Sequence, residues 1–213
     1  MSYPCQGENE PMSNAIIDYK PFTWEALESF TDLVNAVQGL EGTPGAFDVG
    51  FMEEWLRLPG RSVSGDCLVA SSEGTLLGYM FVHQERPINR VVLEGGVLPV
   101  YRKQGVGSYL FDWALECGRN ANASIAHASA QEGDAEQSAF LEGRRFALVR
   151  HHDQMQWSGL NVPEPALPPG FMFRPFHAGD EAGLTEAQNA AFSTQWGFSP
   201  NTIEQVSYSV NMS

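Results

Sequence analysis

Basic residues are scarce in this chain: 12 lysines and arginines stand against 26 aspartates and glutamates, a formal net charge of -14 over 213 residues. A duplex-binding surface needs a basic face that releases counterions from phosphates, and an anionic membrane surface asks for the same. The excess of acid is spread along the chain, with no basic residue against two acidic ones in 1–14, 11 against 19 in 15–160 and one against five in 161–213. No segment hides a basic module, so neither nucleic acid nor membrane is expected as a partner. Cysteine is scarcer still. Cys5, Cys67 and Cys117 are odd in number and far apart, with no CxxC pair and no zinc-site spacing. That predicts no metal and a reducing, cytoplasmic setting. Long apolar runs are also missing. None approaches the ~20 residues of a membrane span, and the opening MSYPCQGENEPMSN has no basic stretch leading into an apolar one, so neither export nor anchoring is expected.

What is there suffices for a buried core. Hydrophobic residues make up 43% of the chain and aromatics 11%, which excludes disorder and low-complexity architecture for the bulk of it. Residues 1–14 are polar, carry two prolines and lack periodicity, and read as a flexible tail. A short strand led by Ile16 and Ile17 ends near Pro21. Thr23 is placed to cap a helix in which Leu27, Phe30, Leu33, Val34 and Val37 recur at helical spacing. GLEGTPGAFDVG is a glycine-rich loop and FMEEWLRL a second helix. The period then changes: CLVASS, TLLGYMFVHQ and RVVLEGGVL are β-rich, the first two joined by a Glu73-Gly74 turn, which predicts an antiparallel meander. From Gly105 helical spacing returns through Val106, Tyr109, Leu110, Trp113, Ala114 and Cys117, with an end expected at Gly118. A strand SIAHASAQ, a helix over 134–143 and a last strand FALVRHHDQMQW complete a mixed α/β domain over 15–160.

Four of the ten residues in 161–170 are proline, the composition of a stiff linker. Beyond it the chain starts again: FMFRPFHAGDEAGLTEAQNAAF parallels IIDYKPFTWEALESFTDLVNAV, with Arg174-Pro175-Phe176 against Lys20-Pro21-Phe22 between a strand and an amphipathic helix. Residues 171–213 are too few for a second copy of the sheet, so this reads as an incomplete second repeat. Its helix over 180–192 could pack on the first domain or on a second copy, which leaves a homodimer open.

The stretch VLPVYRKQGVGSYL, residues 97–110, carries the chemistry. It runs from a strand end through Pro99 and a polar turn into Gly105-x-Gly107 and then directly into a helix. Side chains are missing where a backbone must approach something closely, and free helix N–H groups point at that place. A helix N-terminus is an anion site, and Arg102 and Lys103 add local positive charge. The GxxxxGK[ST] of a nucleotide triphosphatase is absent, and Leu110 stands where the dinucleotide fingerprint GxGxxG needs its third glycine. What is met in full is V-x-P-x-x-R-x-x-G-x-G, at Val97, Pro99, Arg102, Gly105 and Gly107. This resembles the acetyl-CoA signature of the GNAT N-acetyltransferase superfamily. The resemblance extends over residues 15–157 in element order and includes QEGDAEQSAFLEGRRF, which is similar to the family's fourth helix and its run into the last strand.

The resemblance implies a GNAT-like α/β (α+β) fold, a mixed, mostly antiparallel sheet flanked by helices, with acetyl-CoA as co-substrate. It implies that the main-chain N–H groups of Lys103, Gln104, Gly105, Val106, Gly107 and Ser108 hold the pyrophosphate. The pantetheine arm would lie along the strand ending at Val97, where strands four and five splay, with a main-chain N–H near Val97 at the reacting carbonyl. Glu94, beside Gly95 and Gly96, is the candidate acceptor of the amine proton. The other readings of Glu94 are a solvent-facing side chain or a pair with Arg90. His83 and His127 are the alternative bases, and Tyr79 could line the acceptor side or pack in the core. Cys117, Trp55, Trp113, Phe111 and Phe140 read as core, and adjacent His151 and His152 point to opposite faces rather than forming a metal pair.

Two positions depart from the family. Leu141 stands where many members carry a tyrosine that returns a proton to the leaving thiolate, and Arg145 replaces the glycine of the following Gly-Phe pair. Gly133 and Asp134 stand where an asparagine is frequent, and Tyr109 or solvent is left as the thiolate's proton source. Two functions are therefore expected in competition. One is an N-acetyltransferase acting on a primary amine of a small molecule or peptide. The other is a catalytically degenerate, coenzyme A-binding or scaffold half of a tandem GNAT protein.

Overall fold

The computed structural model describes residues 16–153, 155, 157, 159 and 166–212. The expected tail at 1–14 and the first half of the proline-rich stretch lie outside the described residues. In chain order the elements are β1 (Asp18–Pro21), α1 (Leu27–Gln38), α2 (Val49–Leu56), a single turn α3 (Val63–Asp66), β2 (Cys67–Ser72), β3 (Thr75–Glu85), β4 (Arg90–Val97), α4 (Val106–Asn120), β5 (Ile125–Ala128), α5 (Ala135–Glu142), α6 (Glu181–Phe192) and α7 (Ile203–Ser209). The sheet has the order β1-β2-β3-β4-β5, antiparallel throughout except for the parallel β4–β5 pair. The fold is thus mixed α/β with a mostly antiparallel sheet, as the order of periods predicts.

The meander forms because the local chemistry suits it. Glu73 and Gly74 adopt φ of 50° and 83° between paired Ser72 and Thr75, the two left-handed residues whose twist matches a right-twisted hairpin. β3 is apolar on both sides because both faces of the sheet are covered. Met80 and Val82 join Leu68, Val91 and Leu93 under α4, through Val106, Leu110, Phe111 and Ala114. Tyr79 and Phe81 join Cys67 and Val69 under α1 and α2, through Phe30, Leu33, Val34, Met52 and Leu56. Two-sided burial is why the strand reads as a near-continuous hydrophobic run rather than an alternating one.

Several expectations are corrected. Thr23 makes no capping bond, and the chain enters α1 through a 3₁₀ turn, Trp24–Ala26. α4 runs through buried Gly118 to Asn120. β5 is limited to four residues, because Ser129 leaves the ladder and its carbonyl accepts from Gln137 Nε2 at 3.0 Å. The expected strand over FALVRHHDQMQW is irregular at 147–153, with Leu148 and Val149 exposed. A strand exists only where a neighbour pairs its backbone, and β5 has no described strand on its outer side. The strand expected at 171–176 is irregular too. Arg174 there is held by Asp180 through bonds of 2.6 and 2.8 Å, and Phe176 is exposed where Phe22 is buried.

α6 forms where expected. α7 was not expected, although Thr202 and Gln205 make a reciprocal capping box at its start. This C-terminal segment packs on α2, the loop after it and the start of β4. Tyr208 Oη donates to the Glu54 carbonyl at 3.0 Å, Gln205 Nε2 to that of Pro59 at 3.4 Å, and Gly197 O accepts from Arg90 Nη2 at 2.6 Å.

One close approach sets the seat of α1. A Cβ on Gly96 would lie 2.4 Å from Val37 Cγ1, and Val37 is β-branched and held by packing. Gly96→Ala should therefore cost about 1–3 kcal/mol by overpacking. A denaturant titration should show a lower midpoint at unchanged slope, and adding Val37→Ala should recover most of the loss. Equal losses in the single and double variants would contradict this contact.

Candidate functional site

The β4–β5 ladder ends at Leu93 paired with Ala128. β4 runs on alone through Glu94, Gly95, Gly96 and Val97, paired only with β3 on its other side. A strand with one open edge presents unmatched N–H and C=O groups to whatever extended chain lies beside it. The chain then turns through Pro99–Tyr101, and Arg102 Nε donates to the Val97 carbonyl at 3.1 Å, closing the loop on the strand end. Gln104 Nε2 donates to the Val100 carbonyl at 3.1 Å. Lys103 and Gly105 have φ of 61° and 88°. A Cβ at Gly105 would meet nothing within 4 Å, so glycine is required there by the left-handed backbone and not by space.

α4 begins immediately after. Val106 is buried in the core, and Gly107 sits against Val97. No side chain caps the N-terminus of α4, so its first N–H groups and the positive end of its dipole face the loop. The candidate cofactor residues are therefore brought together, and what they offer is mostly main chain. The Lys103 side chain turns away, pairing with Glu136 of α5 at 3.0 Å on the exposed surface. Leu141 packs half-buried against the α4 side of the sheet, where no proton donor is available from it.

Glu94 projects from the opposite face of β4. Of the readings left open for it, Arg90 is not its partner, while its side chain stays 44% exposed to solvent. Its carboxylate accepts from His83 Nε2 at 3.1 Å, and Arg90 pairs with Glu85 instead. His83 is held by rings, 4.6 Å from Phe81 and 5.5 Å from Trp55 between centroids. Trp55 packs against the core as expected, and its partly buried ring also meets Phe81 and His83. Arg61 was missed altogether, since it lies in the α2–α3 connection with no motif around it. Its guanidinium lies 4.0 Å above the Trp55 ring, and Nη1 donates to the Trp55 carbonyl.

Tyr79 is core, edge-on to Phe30, with its phenol pushed up to about 12 by burial. Cys117 packs against the α4 core with its thiol raised by burial, the state of an inert cysteine. His127 pairs in register with Val92, and Val92 with His83, so the two histidines share a face about 10 Å apart. His127 is stacked on Trp196 at 5.2 Å, and Arg150 and His152 gather on the same indole. Two surface hollows, one between α2 and α7 and one beside Arg90 and Asn120, do not include Glu94 or the loop. An open strand edge suits an elongated ligand better than an enclosed one.

The model of the acetyltransferase (GNAT) family matches residues 27–142. The chain is 29% identical over 187 residues to the mycothiol acetyltransferase of Amycolatopsis mediterranei (strain U-32), covering 85% of this chain and 58% of that protein. The crystal structure of a GCN5-related N-acetyltransferase from Sphaerobacter thermophilus superposes with a TM-score of 0.64 at 22% identity, over 89% of this chain and 61% of that one. An aminoglycoside N-acetyltransferase in complex with CoA superposes with a TM-score of 0.54 at 16% identity, over 70% of this chain and 99% of its own. These two solved structures share the fold. The chain spans 58% of the length of the curated relative it matches.

The stack on Trp196 has a pH dependence with a definite sign. Desolvation, then the nearby Arg90 charge, holds the His127 imidazole below its ordinary value. A group depressed by folding contributes stability that is complete above its unfolded value near 6.5 and is lost as pH falls through its folded value. Denaturation midpoints between neutral and mildly acidic pH should therefore fall more steeply for the parent than for His127→Gln. Parallel profiles would show that folding does not bias this imidazole.

Proposed function

The chain belongs to the acetyltransferase (GNAT) family, and from that premise we propose that it transfers the acetyl group of acetyl-CoA to a primary amine of a small molecule or peptide by direct attack. The observation that carries this reading is the parting of β4 from β5 after Leu93, beside an α4 N-terminus that no side chain caps. A ligand with a flexible amide-bearing arm and a pyrophosphate has one feature for each. The free cysteines Cys67 and Cys117 suit a reducing cytoplasm.

Acetyl-CoA supplies the activated acyl group as a thioester. The main-chain N–H groups over residues 103–108 hold the pyrophosphate, and Arg102 fixes their loop to Val97. The open edge of β4 from Gly95 to Val97 pairs with the pantetheine amides and aligns the thioester with the sheet gap. Glu94, on the acceptor side, takes the proton of the incoming amine, and His83 orients its carboxylate through the 3.1 Å bond. The larger part of the acceleration comes from holding two substrates in line. With leucine at 141, the departing thiolate takes its proton from water or from Tyr109, whose ring is stacked on Tyr19 at 3.8 Å.

A second reading rests on Leu141 as well. In it, residues 15–160 form a coenzyme A-binding half of a tandem protein, 161–170 its linker and 171–213 the start of an incomplete second repeat. Calorimetric titration of acetyl-CoA and of desulfo-CoA, followed by an amine panel, separates the two. Binding with turnover supports the enzyme, and binding without turnover on any amine supports the scaffold. Gly105→Asp, which places bulk and negative charge beside the pyrophosphate site on a left-handed backbone, should abolish binding of both ligands in a folded protein. Retained affinity would refute the loop assignment. Glu94→Gln should lower turnover about 10²- to 10⁴-fold with little change in acetyl-CoA affinity. An unchanged rate would remove Glu94 from the role of base.

A further inference from the structure

Arg61 has a place on the acceptor face but no anion. Its guanidinium lies 4.0 Å over Trp55 and 5.4 Å from the Phe81 ring, and Phe81 is the direct cross-strand neighbour of Glu94. One of its donors is used by the Trp55 carbonyl. Among the described residues no carboxylate lies within ion-pairing distance of it. The two acidic groups whose fields reach it are already engaged. Asp66 accepts from Gln84 Nε2 and from the Ser62 N–H, both at 2.8 Å, and Glu94 accepts from His83. The remaining guanidinium donors are not sealed in the interior. Burial pushes this group down to about 10, against the pull of Glu94 and Asp66.

A half-buried guanidinium without an anion is costly, and removing that cost is a source of binding energy. Stacking on an indole fixes the plane of the fork, which is the geometry that engages a carboxylate through two parallel bonds. We propose that Arg61 binds a carboxylate of the acceptor, so that the substrate is a small amino-acid-like zwitterion with its amine at Glu94 and its carboxylate on the guanidinium above Trp55. This rests on the reading of Glu94 as the acceptor-side base. A single negative charge fits better than a phosphate dianion, because Glu94 and Asp66 lie beside the site in a chain of net charge -14. A zwitterion also approaches that acidic protein without net repulsion.

The test pairs amines that differ by one carboxylate: glycine with methylamine, β-alanine with ethylamine, and γ-aminobutyrate with propylamine, with aminomethylphosphonate as the dianionic arm. Each is measured twice, as kcat/KM with acetyl-CoA and by calorimetric titration into protein saturated with desulfo-CoA, which needs no turnover. At least one carboxylate-bearing member should exceed its partner by about 10- to 100-fold in both measurements, the range of a charge-assisted bond. Arg61→Gln should bring that ratio close to one, chiefly through KM, and Arg61→Lys should keep part of it. Equal values within every pair, preference for the phosphonate, or a loss in Arg61→Gln that is the same for both members of a pair would overturn the proposal. The parent's own ratio decides the matter if Arg61→Gln fails to fold. Carboxylate-dependent binding without acetyl transfer would sink the enzyme reading and leave Arg61 standing. Acetyl transfer indifferent to the carboxylate would do the reverse.

Discussion

The parting of β4 from β5 is the constraint on which the site depends. Backbone amides inside a sheet are matched by their neighbours, and an open edge in the middle of a domain is tolerated where something else is to lie against it. Here β4 is held on one side by eight register pairs with β3 and on the other by four with β5, so its last four residues keep one edge free. Everything nearby keeps that edge both straight and open. Arg102 ties the following loop to Val97, Gly96 lets α1 press close, and Ser129 is drawn away from the ladder by Gln137.

The two faces of the same strand end carry different groups. Odd positions of β4 face α4, so Val97 packs with Val106 and brings the helix N-terminus to the edge. Even positions face α1 and α2, so Glu94 meets His83, whose ring packs on Phe81 and Trp55, with Arg61 over the Trp55 indole. The period of two in a strand thereby places the uncapped N-terminus of α4 and the Glu94 side chain on opposite sides of one open strand end. Charge follows the same division. The loop and the start of α4 present amide dipoles, which an acidic protein of charge -14 can offer an anion without a dense basic patch.

The legible parts of the sequence were those encoded locally. The meander, α1 and α4 follow from periodicity, and the loop follows from Gly105 and Gly107 at a strand-to-helix junction. The pair formed by His83 and Glu94 was not legible, because it depends on the register that sets Phe81 opposite Glu94, and register is a property of two strands together. Arg61 was invisible for a related reason: the α2–α3 connection carries no periodicity, and only tertiary packing lays its guanidinium on Trp55. The strands expected at 146–157, of which Gln154 and Gln156 lie outside the described residues, and at 171–176 show the opposite error. Their β-favouring residues describe what the segments could pair with, and no described strand lies beside them to make the pairing real.

The C-terminal segment, and not those strands, borders the face that carries Glu94. It is fastened at one border of that face to α2 and the loop after it, through Tyr208 and Gln205, and at the other to β4 and β5, through the Gly197 carbonyl and Trp196. The anchors differ in kind. Those on α2 are neutral side-chain bonds to carbonyls, and the one on β5 is a ring stacked on a histidine whose charged form folding disfavours. The stack on His127 is therefore the anchor that acidification disfavours, beside the Arg90 bond to the Gly197 carbonyl on the same border. The face that carries Glu94 is thus bordered by a segment outside the stretch that matches the family, held at α2 and the loop after it by neutral bonds and at β4 and β5 by the Gly197 carbonyl and Trp196.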